Sequence, residues 1–154
     1  MNAISDMSLL SGIEQVRAIY AGKAGYEGIL KALNIHFVSA EEGLVVFEGS
    51  LPQSVYNPID FVHSGYAATL LDTVMTCAVH TCLAPGQVYT MLVLKISYHR
   101  PLSDASRPVR AEGRIVSHEK GAAFAEGKLF DKDGTLCATA TTTCLVLDKE
   151  QRHE

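Results

Sequence analysis

The sequence predicts an α+β domain in which a six-stranded antiparallel sheet wraps around one long apolar helix. Apolar residues first recur at helical spacing and then, from residue 35, alternate with a period of two. A long segment from His63 to Leu83 is apolar on most of its circumference, which is typical of a helix enclosed on several sides. Four further alternating segments follow it, and their short connections require antiparallel pairing.

Two helical segments are predicted before the sheet. The stretch 7–22 carries apolar residues every three or four positions and ends at a glycine, and a shorter segment lies within 26–34. We therefore expect one domain over residues 1–154, composed of an N-terminal helical segment, 1–34, and a core, 35–147.

Six strands are predicted on either side of the long helix. They cover residues 35–38, 44–50, 88–99, 109–117, 122–130 and 135–147. In the third strand, the alternation places five side chains on one face: Thr90, Leu92, Leu94, Ile96 and Tyr98. The sequence "DKDG", Asp131–Gly134, predicts a tight hairpin turn between the last two strands.

Composition excludes several classes of function. The 154 residues are 47% hydrophobic and 19% charged, with a net charge of −4, so neither long disorder nor a nucleic-acid partner is expected. No apolar run reaches the ~20 residues of a membrane helix. The first twelve residues do not resemble a secretory signal, so we expect a cytoplasmic protein that does not enter the membrane.

The four cysteines do not form a disulfide framework. Cys77, Cys82, Cys137 and Cys144 lie within apolar patterns, which predicts buried, reduced thiols. The sequence "CAVHTC" brings His80 close to two of them, but a second pair of ligands at zinc-finger spacing is missing. Neither a metal ion nor a cofactor is therefore expected.

The long helix contains one acid, Asp72. It belongs to a polar stripe at helical spacing that consists of Thr69, Asp72, Thr73, Thr76 and His80. A polar stripe is commonly a solvated face, but such faces carry lysine, glutamate and arginine rather than threonine, which is a poor helix former. Small, weakly polar residues suit a face covered by a second subunit, where a carboxylate would act as base or nucleophile. The stripe alone leaves both interpretations open.

The start of the helix favours chemistry. Ser64 and Gly65 begin it, and free N–H groups at a helix N-terminus stabilise a developing oxyanion. Asp72 lies about 10 Å further along the axis, at 1.5 Å per residue. That separation is large for two groups that act on one carbonyl. A dimer in which antiparallel helices pair each Gly65 end with the partner's Asp72 would resolve it.

The stretch "NPIDFVHSGYAATLLD" resembles the signature of the hotdog-fold acyl-CoA thioesterases of the phenylacetate-degradation (PaaI-like) type. That signature has Asn-Pro, a spacer, His-Gly-Gly and an Asp nine residues after the His. Asn57, His63, Gly65 and Asp72 stand at those spacings, and a later Tyr-x-Arg-Pro begins at Tyr98. The resemblance covers about residues 26–147 and implies a hotdog dimer, often a dimer of dimers, that hydrolyses acyl-CoA.

The resemblance implies roles for individual residues. Asp72 would act as general base or as nucleophile, and the backbone N–H of Ser64 would polarise the thioester carbonyl, with Gly65 permitting close approach. Asn57 would orient water or substrate, although a turn role before Pro58 is the alternative. We expect His63 to hydrogen-bond within the loop rather than to transfer protons.

The resemblance also implies where substrate and CoA bind. The residues at the matching positions are Thr90, Met91, Tyr98, Arg100, His118, Lys120, Gly121 and Ala122. Basic residues are frequent in the same half of the chain, and they suit phosphate recognition, although a solvated sheet face would look similar.

Two residues depart from the family pattern. Ser64 replaces the first glycine of His-Gly-Gly, and a backbone donor survives that change. Met91 replaces a Ser or Thr that commonly precedes the motif tyrosine by seven residues, with Thr90 beside it, so a supporting hydroxyl is absent or displaced. A non-catalytic dimer that binds or senses acyl-CoA is therefore the alternative to a thioesterase. A hotdog dehydratase would need a catalytic histidine, and the spacing of His63 fits the thioesterase better.

Overall fold

The computed structural model describes residues 6–22 and 28–149. Within these ranges the elements are α1 (Gly12–Tyr20), α2 (Ile29–Ala32), β1 (Ile35–Glu41), β2 (Leu44–Gly49), α3 (Ser64–Thr81), β3 (Gln87–Tyr98), β4 (Val109–Glu119), β5 (Ala122–Phe130) and β6 (Leu136–Asp148). Short 3-10 turns lie at Asp6–Leu9, Gln53–Val55 and Asp104–Ser106. The predicted order of helices, two strands, one long helix and four strands is confirmed. The division at residue 34 between an N-terminal segment and a core stays a prediction.

The six strands form one antiparallel sheet in the order β1-β2-β4-β5-β6-β3. The strand that follows the long helix therefore crosses to the far edge of the sheet and pairs with β6. Its outer edge has no neighbouring strand in the described part of this chain. The predicted antiparallel sheet and the α+β class are confirmed.

Helix α3 lies against the concave face of the sheet, chiefly on β4 and β5. Leu70, Leu71 and Val74 are completely buried, because apolar side chains occupy most of the circumference of the helix. The residues of the polar stripe are only partly buried, so the sheet leaves this one side of the helix uncovered. The prediction of a sheet wrapped around the helix is confirmed.

Two facing glycines allow the sheet to approach the helix. Gly113 on β4 pairs with Gly127 on β5, and both point at α3. A Cβ atom at Gly113 would collide with the carbonyl oxygen of Val74, whereas one at Gly127 would lie 3.0 Å from Cγ of Met75. The first obstacle is helix backbone and the second is a flexible side chain, so Gly113 is the stricter requirement.

The alternation predicted for β3 is confirmed in its second half. Leu94, Ile96 and Tyr98 lie opposite residues 142, 140 and 138 of β6, all of which are buried against the helix. Residues directly opposite each other in a sheet share a face, so these three side chains point towards α3.

The same prediction is wrong at Thr90, and Leu92 has no partner on β6. The pairing register shifts between Met91 and Val93, which is the pattern of a β-bulge with an extra residue. The hydroxyl of Thr142 donates to the carbonyl oxygen of Val93 at 2.7 Å and holds this irregularity. The shift turns Thr90 to the outer face, because one extra residue exchanges the two faces of a strand.

Helix α1 crosses the C-terminal end of α3. The N–H of Gly12 donates to the carbonyl oxygen of Leu83 at 2.9 Å, and a Cβ atom at Gly12 would collide with the carbonyl oxygen of His80. The two helices therefore meet backbone to backbone at this point. Strand β1 also extends to Glu41, three residues beyond its predicted end, because Ser39, Ala40 and Glu41 pair with β2.

We predict that Gly113→Ala destabilises the protein far more than Gly127→Ala. The added methyl group at position 113 meets fixed backbone, and we expect a loss of about 3 kcal/mol or more in the free energy of unfolding. At position 127 Met75 can move, and we expect a loss of about 1 kcal/mol. Urea denaturation of the two variants measures the difference. Equal effects would show that the helix is free to shift away from the sheet.

Candidate active site

The uncovered side of α3 is less polar than its sequence suggests. Thr69, Thr73 and Thr76 each donate their hydroxyl hydrogen to the carbonyl oxygen four residues earlier, at 2.7–2.9 Å. The hydrogens of these hydroxyls are used within the helix, and the Thr76 oxygen also interacts with the side chains of Asp72 and Tyr89. The stripe is therefore a weakly polar surface with one carboxylate, Asp72, in its middle.

Asp72 is half-buried and has no cationic partner in the described part of the chain. Burial raises the pKa of its carboxyl above the ordinary value, and a hydrogen bond with Thr76 partly offsets this. Tyr89 and the thiols of Cys77 and Cys144 are close enough to interact electrostatically with it. A carboxylate with raised proton affinity and no counter-charge suits a general base or a nucleophile.

The N-terminus of α3 has one occupied and one available amide. His63 is the N-cap, and its Nδ1 accepts a hydrogen bond from the N–H of Gly65 at 3.1 Å. The N–H of Ser64 has no acceptor among the described residues, and its carbonyl oxygen accepts a hydrogen bond from the Tyr98 hydroxyl at 3.0 Å. The amide left for an oxyanion is therefore that of Ser64, while His63 orients the first turn of the helix.

The side chain of Asn57 organises the loop before the helix. Its Oδ1 accepts hydrogen bonds from the N–H groups of Ile59 at 3.0 Å and Phe61 at 3.1 Å. This is the turn role that the sequence left as an alternative. Its Nδ2 group makes no hydrogen bond within residues 6–22 and 28–149, so a role in orienting water stays a prediction.

A cleft of about 330 Å³ opens beside the start of α3. Ser64 and Tyr98 line it together with Arg100, and Leu129 and Ala138 form part of its apolar wall. The cleft therefore has a cationic side chain and the residue with the available amide in its lining. Asp72 is not part of this cleft, since it lies about 10 Å along the helix from Gly65.

The other predicted CoA-binding residues lie far from this cleft within one chain. His118, Lys120, Gly121 and Ala122 belong to the β4–β5 turn, where Lys120 and Gly121 have positive φ values of 46° and 83°. The cleft reaches β5 at Leu129. Seven residues of strand separate Ala122 from Leu129, which is about 23 Å. The structure therefore does not bring the two groups together in one protomer.

Thr90 and Met91 differ in position. Thr90 is exposed on the outer face of the sheet, and Met91 faces α3 opposite Cys144. Tyr89 was not among the predicted site residues, yet it faces α3 and its hydroxyl interacts with Thr76 near Asp72. Tyr89 supplies a hydroxyl on the same strand as the family's Ser or Thr. Tyr89 points inwards because of the bulge after Met91, which the alternation of the sequence did not reveal.

The basic residues of this half of the chain do not converge on one site. Arg107 is paired with Asp104, and Arg110 is paired with Glu112 at 3.2 Å. Lys95 and Lys128 lie on the outer face of the sheet. Of the predicted basic side chains, Arg100 is the one that lines the cleft at Ser64.

The "CAVHTC" segment does not have the features of a metal site. Burial raises the pKa of Cys77 to about 12 and also raises that of Cys82, so neither thiol is readily deprotonated. No group of three or more potential ligands occurs in the part of the chain that the structure describes.

Among the same residues, no helix has the length and apolarity needed to cross a bilayer.

Comparison with known proteins identifies the family. Residues 60–138 match the model of the Thioesterase superfamily. The chain is also 28% identical to the proofreading thioesterase EntH of Klebsiella pneumoniae over 115 residues. This alignment covers 75% of this chain and 82% of that protein. The chain belongs to the Thioesterase superfamily and is a thioester hydrolase.

Solved structures confirm the hotdog fold. A thioesterase from Haemophilus influenzae aligns with a TM-score of 0.76 at 18% identity, over 83% of this chain and 88% of that chain. A phenylacetic acid degradation-related protein from Ralstonia eutropha aligns with a TM-score of 0.75 at 24% identity, over 84% of this chain and 98% of that chain. A mutant of the phenylacetic acid degradation protein PaaI of Thermus thermophilus aligns with a TM-score of 0.68 at 22% identity, over 75% of this chain and 96% of that chain. All three are less than 25% identical to this chain, so what they show is the fold that the resemblance implied.

We predict that Asp72→Asn stabilises the folded protein at neutral pH. When folding raises the pKa of a carboxyl group, the group contributes stability at pH values below its pKa in the unfolded chain. That stability is lost as the pH rises through its pKa in the folded protein. The charged form is therefore the unfavourable one at pH 7, and asparagine removes it. The melting temperature of Asp72→Asn should exceed that of the wild type at pH 7, and the difference should shrink towards zero near pH 4, close to the ordinary aspartate pKa.

Asp133→Asn serves as the control, because Asp133 is exposed in the β5–β6 turn. It should leave the melting temperature almost unchanged across the same pH range. If Asp72→Asn were destabilising at pH 7, the ionised carboxylate would be making a favourable contact in the folded protein, and the argument from burial would be wrong.

Proposed function

We propose that the protein is an acyl-CoA thioesterase whose active site is shared between two protomers. The observation that carries this proposal is the separation between two groups on one helix. The available amide at Ser64 and the uncompensated carboxylate at Asp72 are both suited to act on a thioester carbonyl, yet they lie about two helical turns apart. Two antiparallel copies of α3 would bring each Ser64 amide to the partner's Asp72.

In this arrangement the thioester carbonyl accepts a hydrogen bond from the Ser64 N–H, and the positive end of the helix dipole stabilises the oxyanion. Asp72 of the other protomer then acts in one of two ways. As a base it takes a proton from water, which attacks the carbonyl carbon; as a nucleophile it attacks the carbon directly and forms an anhydride that water cleaves. In both cases the carbon–sulfur bond breaks and the sulfur leaves as the CoA thiol after protonation. Neither course requires a metal or cofactor.

The proposal that CoA is the carrier rests on the charge around the cleft. Arg100 lies at the cleft beside Ser64, and a guanidinium group suits phosphate. The β4–β5 turn with Lys120 is remote from this cleft within one chain, so in our proposal the partner contributes it. The four free cysteines are compatible with the cytoplasm, where acyl-CoA is available, and we propose that location.

Self-association is supported by the open edge of the sheet. Strand β3 is 12 residues long and carries exposed apolar side chains at Leu92, Val93 and Leu94. A long, apolar edge strand is a liability unless it is covered. We propose that a second copy pairs along β3, next to the uncovered side of α3, and that two such dimers associate as the resemblance implies.

We predict that Asp72→Ala and Asp72→Asn each lower turnover of acyl-CoA by a factor of about 1,000 or more, since the group that activates the attack is lost. Release of free CoA thiol across short, long and aromatic acyl-CoAs measures the effect. Light scattering should show an unchanged assembly. If Asp72→Ala retained near wild-type hydrolysis, Asp72 would have no part in the mechanism. Binding without release on every substrate would instead favour the acyl-CoA-sensing alternative.

We predict that Leu92→Glu produces monomers and abolishes hydrolysis together, because a charge on an edge strand opposes pairing and the site needs both protomers. Val116→Glu is the matched control. Val116 is the aliphatic residue of the bulge in β4 and is 62% exposed, against 60% for Leu92. The control should retain both assembly and activity. Monomeric Leu92→Glu with full activity would contradict the shared site.

A further inference from the structure

The start of α3 is tied to the end of β3 by one hydrogen bond. Tyr98 is the last residue of β3, and its hydroxyl donates to the carbonyl oxygen of Ser64 at 3.0 Å. The sequence analysis placed Tyr98 among the residues that bind substrate or CoA, and no step of the proposed reaction uses its hydroxyl. The bond instead joins the sheet to the turn of helix that carries the proposed oxyanion donor.

Other hydrogen bonds within this turn act on the peptide groups on both sides of Ser64. The carbonyl oxygen of His63, which belongs to the same peptide group as the Ser64 N–H, accepts from the N–H of Tyr66 at 2.9 Å. In the next peptide group, the Gly65 N–H donates to Nδ1 of His63 at 3.1 Å. Both bonds join residues within 63–66. They therefore fix the shape of the turn but not its position relative to the sheet.

Tyr98 supplies the contact that these local bonds cannot make. It is 34 residues away from Ser64 in sequence, and its strand pairs with β6 along most of its length. Its hydroxyl binds the C=O of the peptide group whose N–H is held by His63, so this planar group is held at both ends. The backbone of Ser64, and with it the direction of the Ser64 N–H, is thereby fixed relative to the sheet.

The same end of β3 also places the backbone of the cationic residue of the cleft. Arg100 follows Tyr98 by two residues, and its backbone N–H donates to the carbonyl oxygen of Cys137 on β6 at 3.1 Å. Ser64, Tyr98 and Arg100 all line the cleft at the start of α3. An oxyanion donor is effective only when it is held in place before the charge develops, so a small displacement of this turn would slow the reaction.

We propose that Tyr98 is a positioning residue whose hydroxyl aims the Ser64 N–H at the thioester carbonyl, and that it does not bind CoA. The inference rests on the proposed thioesterase function and adds a support for the oxyanion donor outside its own helix. Tyr98 is 51% exposed, so water competes for its hydroxyl and the effect of its loss is moderate. A hydrogen bond to the carbonyl strengthens as the oxyanion forms, so the loss falls on the chemical step rather than on substrate binding.

The test is Tyr98→Phe, which removes the hydroxyl and keeps the ring. The substrates are hexanoyl-CoA and benzoyl-CoA, an aliphatic and an aromatic thioester. For each one that the wild type hydrolyses, kcat and the single-turnover rate should fall about three- to tenfold, as expected for one neutral hydrogen bond, while KM stays within about twofold. Since the side chain is half exposed and keeps its ring, the melting temperature and the assembly measured by light scattering should be unchanged.

Thr139→Val is the matched control. Thr139 lies on the neighbouring strand, and its hydroxyl is 2.9 Å from Nε2 of His99, so the variant removes a hydrogen bond that does not involve α3. Its kinetic constants should equal those of the wild type. A loss of rate as large as that of Tyr98→Phe would show that any hydrogen bond at this end of the sheet has the same effect, and would overturn the inference.

Infrared spectroscopy of a bound carbonyl that cannot be cleaved gives a readout that protein stability does not move. The probe is a ketone analogue of the better substrate, in which a methylene group replaces the thioester sulfur. Its C=O stretching frequency should fall when it binds to the wild type, since the Ser64 N–H polarises the carbonyl. The frequency should return towards that of the free probe in Ser64→Pro, which lacks this N–H, and should lie between the two in Tyr98→Phe.

The outcomes separate this inference from the proposed function. A raised KM with an unchanged single-turnover rate would make Tyr98 a CoA contact, and an unchanged frequency in Tyr98→Phe would show that the hydroxyl does not aim the amide. Either result overturns the inference and leaves the thioesterase standing. A frequency unaffected by Ser64→Pro would remove the proposed oxyanion donor together with its support. Failure of the wild type to hydrolyse any acyl-CoA would remove the proposed function as well.

Discussion

The proposed chemistry depends on one constraint, a single carboxylate that is held partly out of water without a counter-charge among the described residues. Asp72 occupies the one side of α3 that the sheet does not cover, and burial raises the pKa of its carboxyl. The hydroxyls of Thr69 and Thr73 bond to their own helix, so among the described residues on this side of α3 it is Thr76 that favours the ionised form. Retaining such a group in an otherwise apolar helix costs stability, which is typical of functional positions.

The geometry of the helix decides that one copy of the chain is insufficient for the proposed reaction. A straight helix keeps Ser64 and Asp72 at a fixed separation, and no rearrangement of side chains brings the amide to the carboxylate. The long edge strand β3, which lies beside the uncovered side of the helix, exposes apolar side chains and unpaired backbone groups. A second copy would cover that edge, complete the site and bring the β4–β5 turn towards Arg100.

Much of this arrangement could be predicted from local patterns. Alternation identified the six strands, and the apolar circumference of α3 indicated that the sheet encloses it. The spacing of Asn57, His63, Gly65 and Asp72 indicated the family, and it is also the basis of the proposed site, which stays a prediction. Each of these signals lies within a short stretch of sequence, where period and spacing determine the structure.

The features that could not be predicted depend on contacts between distant residues. The bulge in β3 is held by Thr142, 49 residues beyond Val93, so the inward position of Tyr89 is invisible in the strand's own alternation. The pairing of His80 with Gln15 spans 65 residues and requires the close crossing of α1 and α3 at Gly12. The Ser64 N–H and a loop hydrogen bond of His63 were expected, but the partner of His63, the N–H of Gly65, depends on the direction of its side chain and was not predicted.

The shared site can be tested directly with hybrid dimers. Ser64→Pro removes the proposed oxyanion donor at the first helical position, where proline is well tolerated, and His63 has φ −59° and ψ 133°, which a following proline accepts. Asp72→Ala removes the proposed base, and each variant alone should be inactive. When the two are unfolded and refolded together, half of the dimers should be hybrids with one intact site, which restores about a quarter of wild-type activity. If the mixture stayed as inactive as its parts, the two groups would not act across the interface, and the account of the active site would be wrong.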